Sequence, residues 1–377
     1  MKKIIFYSYL GNHVPNLAAL AHFKPKNVKI IWFIQFPQKI SAEPDGILSL
    51  EQLGFQIYFK SKLSSIRYRF YKQKIKHFIV PYTQTSLQKE NIRIEVIDQP
   101  WWEEIAEEKP DGIILPTIVL PGNYPVIQLA KLAKRFPIFL HEYCQSIKDV
   151  SLFDLYKERY EYLSAIFLHG QAYLEQFKNR KIKTKYYMTG GSKTDFYSFP
   201  FLFNPPYTKP FLIYCNTVSN ISIYNSRASQ PETWVPILDE ICSELNLKLI
   251  IKLHPLTYYQ YLKSNWSSQV YFNSFTADLF RQAVGVISDP STILLEALLA
   301  KKPLIITDNN IGLPKNLNPI LKVIPTVKIR QSAIKNLLKS YLNSFRFTSS
   351  HQNLLNYWWH KPDGNASTRI WEKVSHF

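Results

Sequence analysis

The sequence predicts an α/β protein built from two doubly wound domains. Short β-branched apolar runs alternate with stretches of helical length from Lys3 to Thr307, the pattern of parallel strands joined by crossover helices. The 377 residues exceed one ordinary core, and two domains of roughly 150–200 residues are the natural division. Pro200, Pro205, Pro206 and Pro210 concentrate in one short stretch, which reads as an interdomain linker. The expected units are residues 1–199, a linker at 200–210, a second domain at 211–357 and a terminal segment at 358–377.

In the first half, Lys3–Tyr7 reads as a strand, Gly11–Asn16 as a turn and Leu17–His22 as a short helix. Val28–Phe33, Phe55–Phe59 and Ile92–Ile97 read as further strands. Trp101–Glu108 reads as a helix broken by Lys109-Pro110, and Gly112–Thr117 as a strand and loop. Tyr124–Arg135 reads as a helix, with Pro125 acceptable in its first turn. Pro137–Leu140 is a strand that delivers His141. Histidine at a strand end is a candidate general base, because its pKa lies near working pH. A loop histidine without chemistry is the competing reading, and His13, after the first strand, is a rival base. Ala165–Gly170 is the next strand, and Tyr186–Thr189 the last of this half. It runs into Gly190-Gly191-Ser192-Lys193-Thr194-Asp195, where two glycines let backbone approach a ligand closely.

The second half restarts with the strand Phe211–Cys215, opening into the polar loop Asn216-Thr217-Val218-Ser219-Asn220. Trp234–Leu245 reads as a helix, and Leu247–Lys252 as a strand leading to His254. Val286–Ser288 is a strand, Asp289–Thr292 a turn, and a short helix carrying Glu296 precedes the strand Lys302–Thr307. Ala333–Leu342 is a late helix, and Asp363–Ile370 a turn into a final one. In open parallel sheets, ligands bind beyond the carboxyl ends of the strands. His254 and the Ser288–Thr292 turn fall at two such ends, and Ser291 and Thr292 stand where hydroxyls and unpaired N–H groups would meet an anion. The expectation is a site for the phosphates of a nucleotide-linked donor.

Composition narrows the classes. A hydrophobic content of 46% with 15% aromatics excludes disorder, and no apolar run approaches the ~20 residues that span a bilayer. Met1–Tyr7 reads as a buried strand rather than a signal peptide. Cys144, Cys215 and Cys242 have no metal-site spacing, which suggests a reducing cytoplasm. Neither GxxxxGK[ST] nor GxGxxG occurs, and no carboxylate pair suggests a metal, so neither metal nor cofactor is expected. The net charge of +18 favours anionic partners: phosphate-rich substrates, lipid surfaces or nucleic acid. A solvated lysine-rich surface is the plain alternative. Residues 60–77 hold Lys60, Lys62, Arg67, Arg69, Lys72, Lys74, Lys76 and His77 among Leu63, Ile66, Tyr68, Phe70, Tyr71 and Ile75, a stretch that could lie on an anionic membrane or be an ordinary surface helix.

The order of these features resembles the CDP-glycerol glycerophosphotransferases, the teichoic-acid and capsule polymerases of the GT-B superfamily. Leu140-His141 with Ser146 and Lys148 is similar to that family's first-domain histidine, loop and lysine. Thr189–Asp195 resembles its TGxPRxD element, Leu212–Thr217 its LYxPT strand, and Lys252-Leu253-His254-Pro255 its K-x-HP. Ser288-Asp289-Pro290-Ser291-Thr292 with Glu296 resembles SDYSS and the acidic residue after it, and Asp363–Ser367 the closing DGxAS. The chain departs from the pattern at Glu142, where glycine is usual, at Lys193, where arginine is usual, and at Pro290, which replaces an aromatic.

The resemblance implies two Rossmann-like domains facing across a cleft, with the terminal helix packed back on the first. It implies a transferase moving a glycerol-phosphate or sugar unit from a CDP-linked donor to a polysaccharide or lipid-linked hydroxyl; the lack of a carboxylate pair makes metal independence the expectation, and the basic stretch at 60–77 is what could hold a cytoplasmic protein peripherally on the inner face of the plasma membrane. The donor diphosphate would meet Ser291 and Thr292, with Lys252 and His254 countering the charge on the leaving phosphate. Ser288, Asp289, Asn216, Thr217, Gly190 and Gly191 would complete the donor site, Glu296 would bind donor hydroxyls, and His141 would be the base. A UDP- or CMP-sugar transferase is the alternative, followed by a sugar epimerase and a non-enzymatic basic membrane- or nucleic-acid-binding protein.

Overall fold

The computed structural model describes residues 1–9, 11–36, 45–75, 83–84, 89–98, 101–118, 120, 125–142, 157–179, 181–200, 203–204, 207–216, 231–253, 269–271, 275–308, 318–328 and 331–377. The strands in chain order are β1 (Lys2–Ser8), β2 (Val28–Gln35), β3 (Ile57–Phe59), β4 (Thr83–Gln84), β5 (Ile92–Ile97), β6 (Gly112–Leu115), β7 (Ile138–Leu140) and β8 (Ala165–Leu168). They continue with β9 (Tyr186–Met188), β10 (Phe203–Asn204), β11 (Phe211–Cys215), β12 (Lys248–Lys252), β13 (Gln269–Val270), β14 (Gly285–Ser288), β15 (Leu304–Asp308) and β16 (Thr326–Lys328).

Two parallel sheets result. The first has the order β3-β5-β2-β1-β6-β7-β8-β9, and the second β13-β12-β11-β14-β15-β16. Each is doubly wound. The first reverses direction between β1 and β6, the second between β11 and β14. Burial on both faces explains the continuous apolar runs. Along β1, Ile4 and Phe6 enter one core layer, and Ile5 and Tyr7 the other. β4 and β10 pair antiparallel, so the proline-rich linker contributes a short strand against the first half.

The expected α/β class holds, and among the described residues five helices are additions to the sequence reading: the single turns Lys157–Tyr160 and Asn318–Leu321, and the helices Asp45–Gln52, Ala277–Gln282 and Ser349–Trp359. The last was hidden because its capping box uses His351 where Glu or Gln is usual: Thr348 N–H donates to His351 Nδ1 at 3.2 Å. This helix bridges both halves. Tyr357 donates to Glu175 at 2.9 Å on the first, and Trp359 Nε1–H donates to the Leu295 carbonyl at 2.8 Å on the second. The expected boundary at residue 357 therefore falls inside a helix.

The final helix, Ala366–Ser375, returns to the first sheet. Trp371 stacks on Phe6 with centroids 6.2 Å apart and donates to the Leu20 carbonyl at 2.9 Å. Its N-terminus is capped in trans. The Asp195 carboxylate accepts from the N–H groups of Ala366 at 2.9 Å and Ser367 at 2.7 Å, which supplies two orphan helix donors with a carboxylate acceptor.

Candidate functional site

The site is built from strand ends. In the second sheet, Cys215 is in register with Lys252 on one side and Ser288 on the other, so β12, β11 and β14 finish level. Lys252 is buried, with Nζ 3.3 Å from the Leu253 carbonyl. Asn216 donates its N–H to the Lys252 carbonyl at 3.3 Å. His254 and Thr217 lie outside the described residues, as do Ser146 and Lys148.

Ser288 and Asp289 are fully buried. The Asp289 carboxylate accepts from Tyr214 at 3.2 Å and from Thr307 at 2.5 Å, and its N–H donates to the Cys215 carbonyl at 2.9 Å. Asp289 thus ties β11, β14 and β15 together and fixes the turn that follows, instead of presenting its charge to a ligand. Ser291 and Thr292 are half-buried ahead of the helix Ile293–Leu299. Thr292 makes no side-chain capping bond, and Ser291 Oγ has no hydrogen-bond partner among the described residues.

Glu296 points from that helix toward the first half. It accepts from Lys193 Nζ at 2.6 Å and from Thr276 Oγ1 at 2.8 Å. The side chains of Lys193 and Glu296 are only 8% and 16% exposed, so solvent screens this pair little. Lys193 also lies 5.5 Å above the Trp359 ring.

On the first half, His141 follows β7 and is completely buried. Its N–H donates to the Leu115 carbonyl at 2.9 Å. Its Nε2 accepts the Ser192 N–H at 3.2 Å and lies 2.7 Å from Ser192 Oγ. Ser192 Oγ donates to the Asn16 carbonyl at 2.8 Å, and Lys193 N–H donates to Asn16 Oδ1 at 3.2 Å. A chain of contacts therefore runs from His141 and Asn16 through Ser192 and Lys193 to Glu296.

Burial holds His141 neutral. Its pKa falls to about 3, chiefly by desolvation, with a hydrogen bond to the Phe167 backbone opposing and the Lys193 charge adding. His13 is also buried, edge-on to Tyr9 at 4.8 Å, and burial lowers it to about 3. The imidazole base expected at one of these positions is therefore a buried group that stays neutral at working pH. The neighbouring Glu142 is half-buried, and its carboxyl rises to about 7 by burial, with hydrogen bonds from Tyr173 and Tyr160 opposing.

The glycine pair also changes meaning. At Gly190, with φ +85°, an added Cβ would lie 3.2 Å from the Trp359 carbonyl oxygen and 3.3 Å from the Ala366 methyl group. At Gly191 a Cβ would lie 2.8 Å from Trp359 Cζ3. The close approach these glycines permit is that of the chain's own C-terminal segment, which fills the space expected for a ligand. Asn16 and Thr276 belong to no spacing with chemical meaning, and Ser192 is legible only as part of Thr189–Asp195, with nothing to announce its contact with His141.

No protein-family model and no curated protein matches the sequence. Solved structures do match. A variant of the wall teichoic acid polymerase TagF aligns over 100% of this chain and 88% of its own, with a TM-score of 0.63 and 12% identity. A putative UDP-N-acetylglucosamine 2-epimerase from Listeria monocytogenes aligns over 100% and 96%, with a TM-score of 0.59 and 11% identity. The UDP-GlcNAc 2-epimerase of Neisseria meningitidis, bound to UDP-GlcNAc, aligns over 100% of both chains with a TM-score of 0.56 and 11% identity. At such identities the likeness establishes architecture alone, and that architecture is the GT-B fold of two Rossmann-like domains.

Proposed function

We propose that the protein is a transferase that takes a glycerol-phosphate or sugar unit from a nucleotide-activated donor, with a CDP-linked donor preferred. The observation that carries this reading is the Lys193–Glu296–Thr276 contact, which draws the carboxyl edges of the two sheets to one junction. Structures of the same fold include a TagF polymerase soaked with CDPG and an epimerase bound to UDP-GlcNAc, so nucleotide-linked donors suit this architecture.

In this proposal the donor diphosphate sits at Ser291 and Thr292, with Lys252 and His254 opposing the charge on the leaving phosphate. Asn216, Thr217 and Ser288 complete the strand-end wall, and Asp289 holds its shape. Glu296 exchanges its bond with Lys193 for a donor hydroxyl, which releases the ammonium toward phosphate. The proton of the acceptor hydroxyl passes to His141 or to the neighbouring Glu142, whose carboxyl burial raises to about 7. His141 positions the Ser192–Lys193 turn. The acceptor is a hydroxyl of a surface polysaccharide or a lipid-linked chain.

Thermal unfolding with CDP, CMP, UDP, UMP and a short oligonucleotide tests the reading. A ligand at a hundredfold excess over its Kd adds about 2.7 kcal/mol to stability. CDP or CMP is expected to stabilise most. A response to UDP alone moves the reading to a UDP-sugar transferase or epimerase, and a response to the oligonucleotide alone overturns it. His254→Ala is expected to abolish transfer with the fold intact. If Glu142→Gln retains turnover while His141→Asn loses it, the base is His141.

A further inference from the structure

We propose that the helix Lys62–Ile75 docks the protein on an anionic lipid surface. An ordinary surface helix turns its apolar stripe to the core and its polar face to water, and this one packs Tyr68 and Tyr71 into the core yet carries a second apolar stripe on its outward face. Ser64, Tyr68 and Tyr71 are buried, and Tyr68 is fixed by donating to Glu51 at 2.7 Å. Leu63, Ile66 and Phe70 follow the i, i+3, i+7 spacing of one helical face and are 55%, 39% and 62% exposed. Tyr58, on the edge strand β3, is 48% exposed. These four make up half of the eight large apolar side chains exposed among the described residues, so the exposure is concentrated in one place.

Cations flank the stripe. At 100° per residue, Lys62 and Arg69 lie along one side of it and Arg67 along the other, all exposed. No Asp or Glu occurs from residue 60 to 77. Lys72 is paired with Glu51 at 2.9 Å and Lys60 with Glu95 and Glu104, so neither contributes to the outward charge. Apolar side chains bordered by cations match the acyl–headgroup boundary of an anionic leaflet. Nucleic acid would favour stacking aromatics over the aliphatic Leu63 and Ile66. Among the described residues no helix is long and apolar enough to cross a membrane, so the contact is one of lying on the surface. The helix begins just past the carboxyl end of β3, at the end of the strand order opposite β9.

Flotation of the full chain with vesicles of equimolar phosphatidylcholine and phosphatidylglycerol, against phosphatidylcholine alone, tests this. Binding is expected to the first mixture. The triple variant Leu63→Ser/Ile66→Ser/Phe70→Ser keeps the net charge and is expected to lose at least about tenfold in partitioning. Arg67→Gln/Arg69→Gln is expected to lose a similar factor, whereas Lys178→Gln/Lys183→Gln, with the same change in charge, keeps wild-type binding. Wild-type partitioning by the triple variant, or equal losses in the two charge-reduced pairs, overturns the proposal. Because all seven positions are exposed, Tm is expected to hold. Nucleotide-induced stabilisation should persist in the triple variant, so the donor reading and the lipid proposal fail separately.

Discussion

The Lys193 ammonium and the Glu296 carboxylate meet at 2.6 Å across the boundary between the two sheets. Breaking such a shielded pair from one side leaves a charge without its partner. Lys193→Met and Glu296→Leu are each expected to cost about 3 kcal/mol in urea unfolding, and the double variant less than their sum. Strict additivity in that cycle would show that the two groups do not interact.

The trans cap on the final helix gives a local prediction. Asp195→Asn replaces a charged acceptor by a neutral one and is expected to cost about 1 kcal/mol. Hydrogen exchange should quicken first at the amides of Ala366 and Ser367, with the core of the first sheet unchanged.

Three glycines order themselves by what an added methyl group would strike. At Gly170 the obstacle is backbone, the Trp358 carbonyl carbon at 2.5 Å and the Tyr357 oxygen at 2.6 Å. At Gly191 it is the Trp359 ring at 2.8 Å, and at Gly285 the end of the Leu342 side chain at 2.7 Å. Alanine is expected to destabilise most at Gly170, by about 3 kcal/mol, and least at Gly285, where a flexible side chain can shift. Equal losses in thermal unfolding would contradict this packing.

Stability should respond to pH with two opposing slopes. His141 and His13 titrate at about 3 when folded, against an ordinary 6.5, so the unfolded chain binds more protons between those values. Their contribution rises with pH through that window and is lost on acidification. Glu142 titrates at about 7 when folded, against an ordinary 4.5, so the folded state holds the extra proton and its contribution falls as pH rises from 4.5 to 7. Each group contributes at most about 1.4 kcal/mol per pH unit. Glu142→Gln is expected to steepen the net rise between pH 4.5 and 6.5, and His141→Asn to flatten it. Urea titrations across that range provide the check.

Much of this was legible in residue patterns. Apolar runs located the main parallel strands, because strands buried on both faces carry no polar alternation to confuse with another element. Ser288, Lys252 and His141 are legible as strand-end residues for the same reason. What the sequence hid were relations across distance. Glu296 reads as a ligand for donor hydroxyls, yet its partner Lys193 is 103 residues away, and no spacing announces that contact. Gly190 and Gly191 signalled a close approach, but the approaching group was the chain's own C-terminal segment. The edge strands β13 and β16 have two and three residues, too few to establish a period.

The helix Ser349–Trp359 and the return of Ala366–Ser375 to the first sheet mean that the chain passes between the lobes twice, once near 200–210 and once beyond Trp359. The second lobe is thereby moored at both of its ends. Twisting and sliding of one lobe against the other are restrained, and swinging about the line through the two moorings remains the softest motion. Loosening either mooring would free twisting of the lobes in addition to that swing.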